Sequence, residues 1–304
     1  MRPLALLLLL AAPMMGCAGE ASSEADDEGA RDARESGDAL IGGKAASADQ
    51  FPSTVFLKGG CTAAKVGPRL VLTAAHCALD TATVSPKWKP GDVLGVSRTP
   101  ADGFDDHVIV AVHVHPDWIA ECNRVYCASA DAAAKVDAPD VALIELETDV
   151  GVPIAVIDPS FLPVGVSVLE VGFGCTQGVS MPDARRAKTL LWSRTQTSAV
   201  NHVLHDGSPV AETDLANLSA NYAMTDGPGR SKASSGLCPG DSGGPLYRAR
   251  GGRLSIVGVN SNYTFAPEDS DAKGLPVTNW HTRLDNGSSH HVAIWLKGLG
   301  ANVR

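Results

Sequence analysis

From residue 40 onward the apolar positions come in bursts of strand length. Arg69 to Thr73, Val108 to Val114, Val141 to Leu146, Val166 to Val171 and Leu254 to Val259 are each dominated by Val, Leu, Ile or Ala. Pro86, Pro90, Pro116, Pro139, Pro159, Pro163 and Pro182 fall between such runs. Short apolar runs separated by breakers predict many short strands and an all-β fold. A helical spacing stands out near the end of the chain, from Ser289 to Gly298, where Val292, Ile294, Trp295 and Leu296 precede Leu299. No fixed-period repeat is visible. The stretch Gly151 to Pro163 reads as a connection, dividing the remainder into halves of about 40–150 and 160–304.

The first 39 residues follow different rules. Arg2 precedes an apolar run, Leu4 to Ala12, that is too short to span a membrane as a mature helix. The run ends in Pro13-Met14-Met15-Gly16-Cys17, which resembles a bacterial lipoprotein signal and implies lipidation of Cys17 and an outer-membrane address. An ordinary secretory signal is the alternative, and both predict export. Residues 18–39 are rich in Ala, Ser, Glu and Asp and contain nothing that could form an apolar face, so they are expected to be an acidic linker or propeptide.

Composition narrows the picture. Aromatics make up 5% of the 304 residues while 31 are Gly and 19 Pro, which suits strands and turns better than long helices. The formal net charge of −9 argues against nucleic acid as a partner. Without Cys17 six cysteines remain: Cys61, Cys77, Cys122, Cys127, Cys175 and Cys238. An even number in an exported chain predicts three disulfides, with connectivity left open by the residues themselves. None of them shows zinc-site spacing, so no metal is expected.

Candidate chemistry is carried by four segments in a fixed order: Leu40-Ile41-Gly42-Gly43, Thr73-Ala74-Ala75-His76-Cys77, Asp140-Val141-Ala142-Leu143-Ile144 and Gly240-Asp241-Ser242-Gly243-Gly244-Pro245. A serine hydroxyl needs a base to take its proton as it attacks, and an imidazole can do so. A carboxylate on the far ring nitrogen would fix the tautomer and stabilise the imidazolium. Backbone N–H groups of a glycine-rich loop can meet the resulting oxyanion.

These segments resemble the chymotrypsin/trypsin-like serine proteases, over about residues 40–300. The resemblance implies two packed six-stranded antiparallel β-barrels, a C-terminal helix and a cleft between the barrels. It implies His76, Asp140 and Ser242 as catalytic triad and the N–H groups of Gly240 and Ser242 as oxyanion hole. Peptide bonds would be hydrolysed through an acyl-enzyme, without a cofactor and with proteins or peptides as the only required partners. A monomer is expected, touching a membrane only through a lipid on Cys17. It further implies a cut before Leu40, whose new amine would pair with Asp241. The residues before that cut, Asp38 and Ala39, do not suit a trypsin-like activator.

The resemblance also implies Cys61–Cys77 and places Cys175 near Cys238, which leaves Cys122 with Cys127. Vertebrate relatives pair the cysteine at the position of Cys238 with a later one, and none follows here. Trypsin-like enzymes carry Asp six residues before the nucleophile; here that position is Gly236. Ser261 is expected beside Asp140, Tyr263 on the pocket wall where relatives have glycine, and Asn279 near the pocket base. Together they predict a shallow uncharged pocket for small or medium residues. Asp102, Asp105 and Asp106 occupy a loop that binds calcium in some relatives.

Two other readings are available. Gly240 to Gly244 also fits the nucleophile elbow of α/β-hydrolases, with Asp269 or Asp271 and His281 or His290 as partners, an esterase-type enzyme. That reading leaves His76 and Asp140 unexplained, and no alternating strand and helix pattern precedes the elbow. The second is a catalytically idle binding protein on a protease scaffold.

Overall fold

The structure is a computed structural model that describes residues 40–47, 49–125, 138–175, 189–199, 219–265 and 275–304. The signal segment, Cys17, the acidic stretch, Cys127 and the alternative acids Asp269 and Asp271 lie outside the described residues. The chain divides into two units, residues 1–36 and 37–304, and every described residue belongs to the second.

In chain order the first half contains β1 (Lys44–Ala45), β2 (Thr54–Leu57), β3 (Cys61–Gly67), β4 (Leu70–Thr73), α1 (Ala75–Ala78), β5 (Leu79–Asp80), β6 (Ser85–Pro86), β7 (Val93–Ser97), β8 (Asp105–Val114), α2 (Pro116–Val125) and β9 (Ala142–Leu146). The second half contains β10 (Val156–Ile157), β11 (Ser167–Gly172), β12 (Leu191–Ser198), β13 (Tyr222–Asp226), β14 (Pro245–Arg250), β15 (Arg253–Phe265), β16 (Pro276–Arg283) and the C-terminal helix α3 (Val292–Gly298).

Six strands of the first half close into a barrel in the order β2-β3-β4-β9-β8-β7. In the second half β12-β11-β14-β15-β16-β13 form a ring that the β12–β13 pairing closes. All pairings within both rings are antiparallel, so the all-β, two-barrel expectation holds. The β1 strand attaches outside the second ring, Lys44 opposite Trp192.

The burial of β4 explains why its sequence is apolar throughout rather than alternating. Val71 faces the cluster inside the first barrel with Val55, Leu94 and Ile144. Leu70 and Leu72 face the opposite way, into a core shared with Leu169, Val171, Val259 and the helix residues Val292 and Leu296. Successive side chains of a strand point to opposite faces, and here both faces are covered.

Two helical details differ from the sequence expectation. The C-terminal helix begins at Val292 rather than Ser289, because His291 takes the left-handed conformation with φ 52° and breaks the helical backbone before it. Pro116, read as a breaker, instead opens α2, where its missing N–H costs nothing and Asp117 favours the first turn. No described helix is long and apolar enough to cross a membrane.

Candidate active site

His76 lies on α1, the single turn that follows β4, and Asp140 just precedes β9. Antiparallel pairing sets Thr73 opposite Ala142, which brings the two segments together. His76 Nδ1 lies 2.7 Å from Asp140 Oδ2, and the His76 backbone N–H donates to Oδ1 at 2.9 Å. The second barrel contributes two more bonds. Ser261 Oγ donates to Asp140 Oδ2 at 2.6 Å, and Thr282 Oγ1 donates to the Asp140 carbonyl at 3.0 Å. Asp140 is buried, and burial by itself would raise its carboxyl. The charge of His76 and the His76 and Ser261 hydrogen bonds outweigh that and hold it below the usual carboxylate range.

Ser242 is partly exposed in the turn before β14, and its carbonyl accepts the Thr62 N–H at 2.9 Å. Its Oγ makes no hydrogen bond to His76, whose Nε2 lies 3.8 Å from Cys77 Sγ. Such a contact often tightens only when substrate binds. The turn requires glycine twice. Gly240 has φ +111°, and a Cβ there would lie 2.9 Å from the Phe173 carbonyl oxygen. Gly243 has φ +80°, and its Cβ would meet Thr73 Oγ1 at 2.0 Å. Removing the side chain is what lets this turn lie against both barrels.

Asp241 points inward and is fully buried. Its carboxylate accepts the N–H groups of Gly174 at 2.8 Å and Cys238 at 3.0 Å, and it has no cationic partner among the described residues. Burial pushes its carboxyl up to about 8, with Glu170 adding in the same direction against those two N–H bonds. Leu40 is buried against Leu191 and Leu237, a cluster on which Tyr263 also packs. Ile41 and Gly236 exchange backbone bonds of 3.2 and 3.0 Å.

Of the expected pocket residues, Asn279 lies beside Leu237 and opposite Tyr263, while Ser261 bonds Asp140. Gly236 is closed in, since a Cβ there would meet Pro228 and Pro276 at about 3 Å. Asn279 is fully buried and accepts the Leu237 N–H at 2.9 Å. Tyr263, opposite Asn279 in the β15–β16 register, is partly buried, and burial pushes its hydroxyl up to about 12.

Cys61 is joined to Cys77 with Cα atoms 6.2 Å apart, and Cys175 to Cys238 at 5.8 Å. Cys122 is buried and disulfide-bonded. Disulfides suit an extracellular or exported setting. Among the described residues, the one group of three candidate metal ligands close enough to share an ion is Cys61, His76 and Cys77, and its thiols are spent in the disulfide. The closed barrels exclude the α/β-hydrolase alternative. Its two candidate histidines are engaged elsewhere, His281 beside Glu170 and His290 on Asp117.

Residues not anticipated from sequence also reach the site. Lys87 Nζ donates to the His76 carbonyl at 3.0 Å, and burial pushes that amine down against the pull of Asp80 and Asp140. Glu170 lies fully buried beneath Asn279. Its sequence setting, Val168-Leu169-Glu170-Val171, offered the signal of an acid inside an apolar strand.

Comparison with known proteins agrees with this geometry. The Trypsin family profile matches residues 40–276. The CLIP domain-containing serine protease B4 of Anopheles gambiae is 27% identical over 269 residues, covering 79% of this chain and 66% of that protein. Achelase-1 of Lonomia achelous is 23% identical over 244 residues, covering 74% and 97%. Among solved structures, mouse brain neuropsin matches with a TM-score of 0.56 at 19% identity, covering 84% of this chain and 98% of that one. The secreted protease VesC from Vibrio cholerae also gives 0.56 at 20% identity, covering 85% and 48%. With its two barrels and the family profile spanning most of its length, the chain belongs to the trypsin-like serine proteases.

Proposed function

We propose that the protein is an exported serine endopeptidase that cleaves after small or medium uncharged residues. The observation that carries this reading is Asp140, buried and bonded to both the ring and the backbone of His76, with Ser261 completing its shell. Ser242 Oγ attacks the scissile carbonyl as His76 Nε2 takes its proton. The proton then passes to the leaving amine, leaving an ester on Ser242. Water, deprotonated by the same imidazole, hydrolyses that ester and restores the serine. Backbone N–H groups of Gly240 and Ser242 hold the oxyanion in both steps. No cofactor takes part. Gly236 supplies no charge for Arg or Lys, and Tyr263 limits the depth of the pocket.

In the same reading, residues 1–17 are the export signal with Cys17 as the lipid anchor, and residues 18–39 are the propeptide. Ala39 suits the enzyme's own pocket, so the chain cuts itself between Ala39 and Leu40, and the new amine ion-pairs with Asp241.

One observation favours the idle-scaffold alternative: Ser242 Oγ and His76 are not hydrogen-bonded. A fluorophosphonate probe separates the two, because it labels only an activated serine. The mature chain is expected to be labelled. Ser242→Ala should abolish labelling and lower peptidase activity by about 10⁶-fold, the scale of triad knockouts. An unlabelled mature chain would refute the enzyme reading. Inert Ser242→Ala protein should keep its propeptide until traces of active enzyme trim it to Leu40. Trimming without active enzyme would assign the cut to another protease.

A further inference from the structure

Beneath the pocket floor lies a polar cluster with no place in the mechanism above. Glu170 on β11 and His281 on β16 are both fully buried, with Nε2 3.3 Å from Oε1. Thr225 Oγ1 bonds Glu170 Oε1, and Ser235 Oγ bonds Oε2. Asn279 Nδ2 reaches Glu170 Oε1 at 3.1 Å, Thr225 Oγ1 at 3.1 Å and the Ser235 carbonyl at 2.9 Å.

The hydrogen positions follow from donor and acceptor capacity. Asn260 Nδ2 faces two carbonyls, Val171 at 3.0 Å and Asp241 at 3.3 Å, so its Oδ1 is the acceptor toward His281. His281 Nδ1, 2.9 Å from that oxygen, therefore carries a proton. Nε2 faces Glu170 Oε1 and, at 3.2 Å, Thr225 Oγ1. The single Thr225 hydroxyl proton can satisfy its contact with Glu170 or with Nε2, but not both. Were Nε2 bare and Glu170 ionised, the Thr225 hydroxyl would face two acceptors with one proton, leaving one of them unpaired in a dry interior. One further proton belongs in this His281–Thr225–Glu170 chain, on the ring or on the carboxyl. Either way the pair carries no net charge.

We propose that Glu170 and His281 form a one-proton, charge-neutral pair that acts as a positioning element, holding the floor of the primary pocket and the nucleophile turn while adding no charge beneath the substrate side chain. The floor is tied through Asn279, which takes the Leu237 N–H. The turn is tied through Asn260, which donates to the Asp241 carbonyl next to Ser242. Asp241 is the other titratable group near the pair, and Glu170 adds to the upward push on its carboxyl. The proposal rests on the endopeptidase reading and accounts for a buried acid under the pocket without selectivity for Arg or Lys.

The direct test is NMR of full-length Ser242→Ala protein carrying ¹⁵N-ring histidine and ¹³C-carboxyl glutamate, with His281→Asn and Glu170→Gln assigning the signals. A protected proton shared along His281 Nε2, Thr225 Oγ1 and Glu170 is expected. A bare Nε2 beside an ionised Glu170 would overturn the pair. The functional arm uses active Glu170→Gln. Its KM for peptides should rise about tenfold or more, because Asn279 and the pocket floor lose their anchor, while fluorophosphonate labelling stays within about threefold of wild type, because the His281–Asn260–Asp241 link to the turn remains. An unchanged KM would overturn the positioning role. If wild-type enzyme is not labelled at all, the endopeptidase reading fails, and the NMR arm still decides the pair.

Discussion

Asp241 offers a measurable consequence of burying an acid without a cation. In the uncut chain its carboxyl sits at about 8 instead of the ordinary 3.8, because burial outweighs the Gly174 and Cys238 N–H bonds. Folded protein then binds more protons than unfolded protein between those values. The stability this group contributes is fully present below about pH 4 and is lost as pH rises through about 8. The loss amounts to about 4 kcal/mol by pH 7, taking about 1.4 kcal/mol for each pH unit travelled above 3.8. Asp241→Asn removes the titration, at the cost of turning an amide toward one of the two N–H groups, a pH-independent penalty of about 1–3 kcal/mol. Urea unfolding of uncut Ser242→Ala protein, with and without Asp241→Asn, should give a difference curve that slopes in the variant's favour from pH 4 to 8. The slope is the readout, because the amide penalty shifts only the offset and Asp140 titrates in both proteins. A flat difference curve would refute the reasoning. If the new amine of protein beginning at Leu40 pairs with Asp241, as proposed, that protein should lose this slope.

Other substitutions probe the rest of the site. Ser261→Ala removes a donor from Asp140, so the depressed Asp140 carboxyl should rise toward its unfolded value, and its share of the acid loss of stability should shrink and end at a higher pH; an unchanged acid limb in urea melts would contradict this. Tyr263→Gly should open the pocket and turn a peptide-library profile toward larger apolar residues; an unaltered profile would remove Tyr263 from the wall. Replacing Cys61 and Cys77 with Ala opens a loop of sequence separation 16 and should cost about 3 kcal/mol of stability, measured by denaturant unfolding.

The parts legible in sequence are those in which neighbours along the chain do the work. His76, Asp140 and the Gly240–Gly244 turn each carry their signature within a few residues. The two-barrel expectation came from strand-length apolar runs together with that resemblance. What sequence concealed depends on distant strands. Glu170 is an ordinary acid in an apolar run until Thr225, Ser235, Asn279 and His281 surround it from three separate segments. Lys87 reaches the His76 carbonyl only because β5 and β6 form a small hairpin that returns the chain to α1. Pro116 was ambiguous because proline ends one kind of element and begins another; its neighbour Asp117 was the clue.

Asp140 belongs to the first barrel, yet two of its bonds come from Ser261 and Thr282 on the second. The site therefore behaves as a conjunction of two conditions. The first barrel alone gives the carboxylate its two His76 bonds, but the Ser261 hydroxyl arrives only when the second barrel is seated against it. Competence is thus a late event in assembly, an internal check that both halves have been completed and joined. A chain with only its first barrel built would carry His76 and Asp140 but no nucleophile turn, and so be harmless to whatever lies beside it.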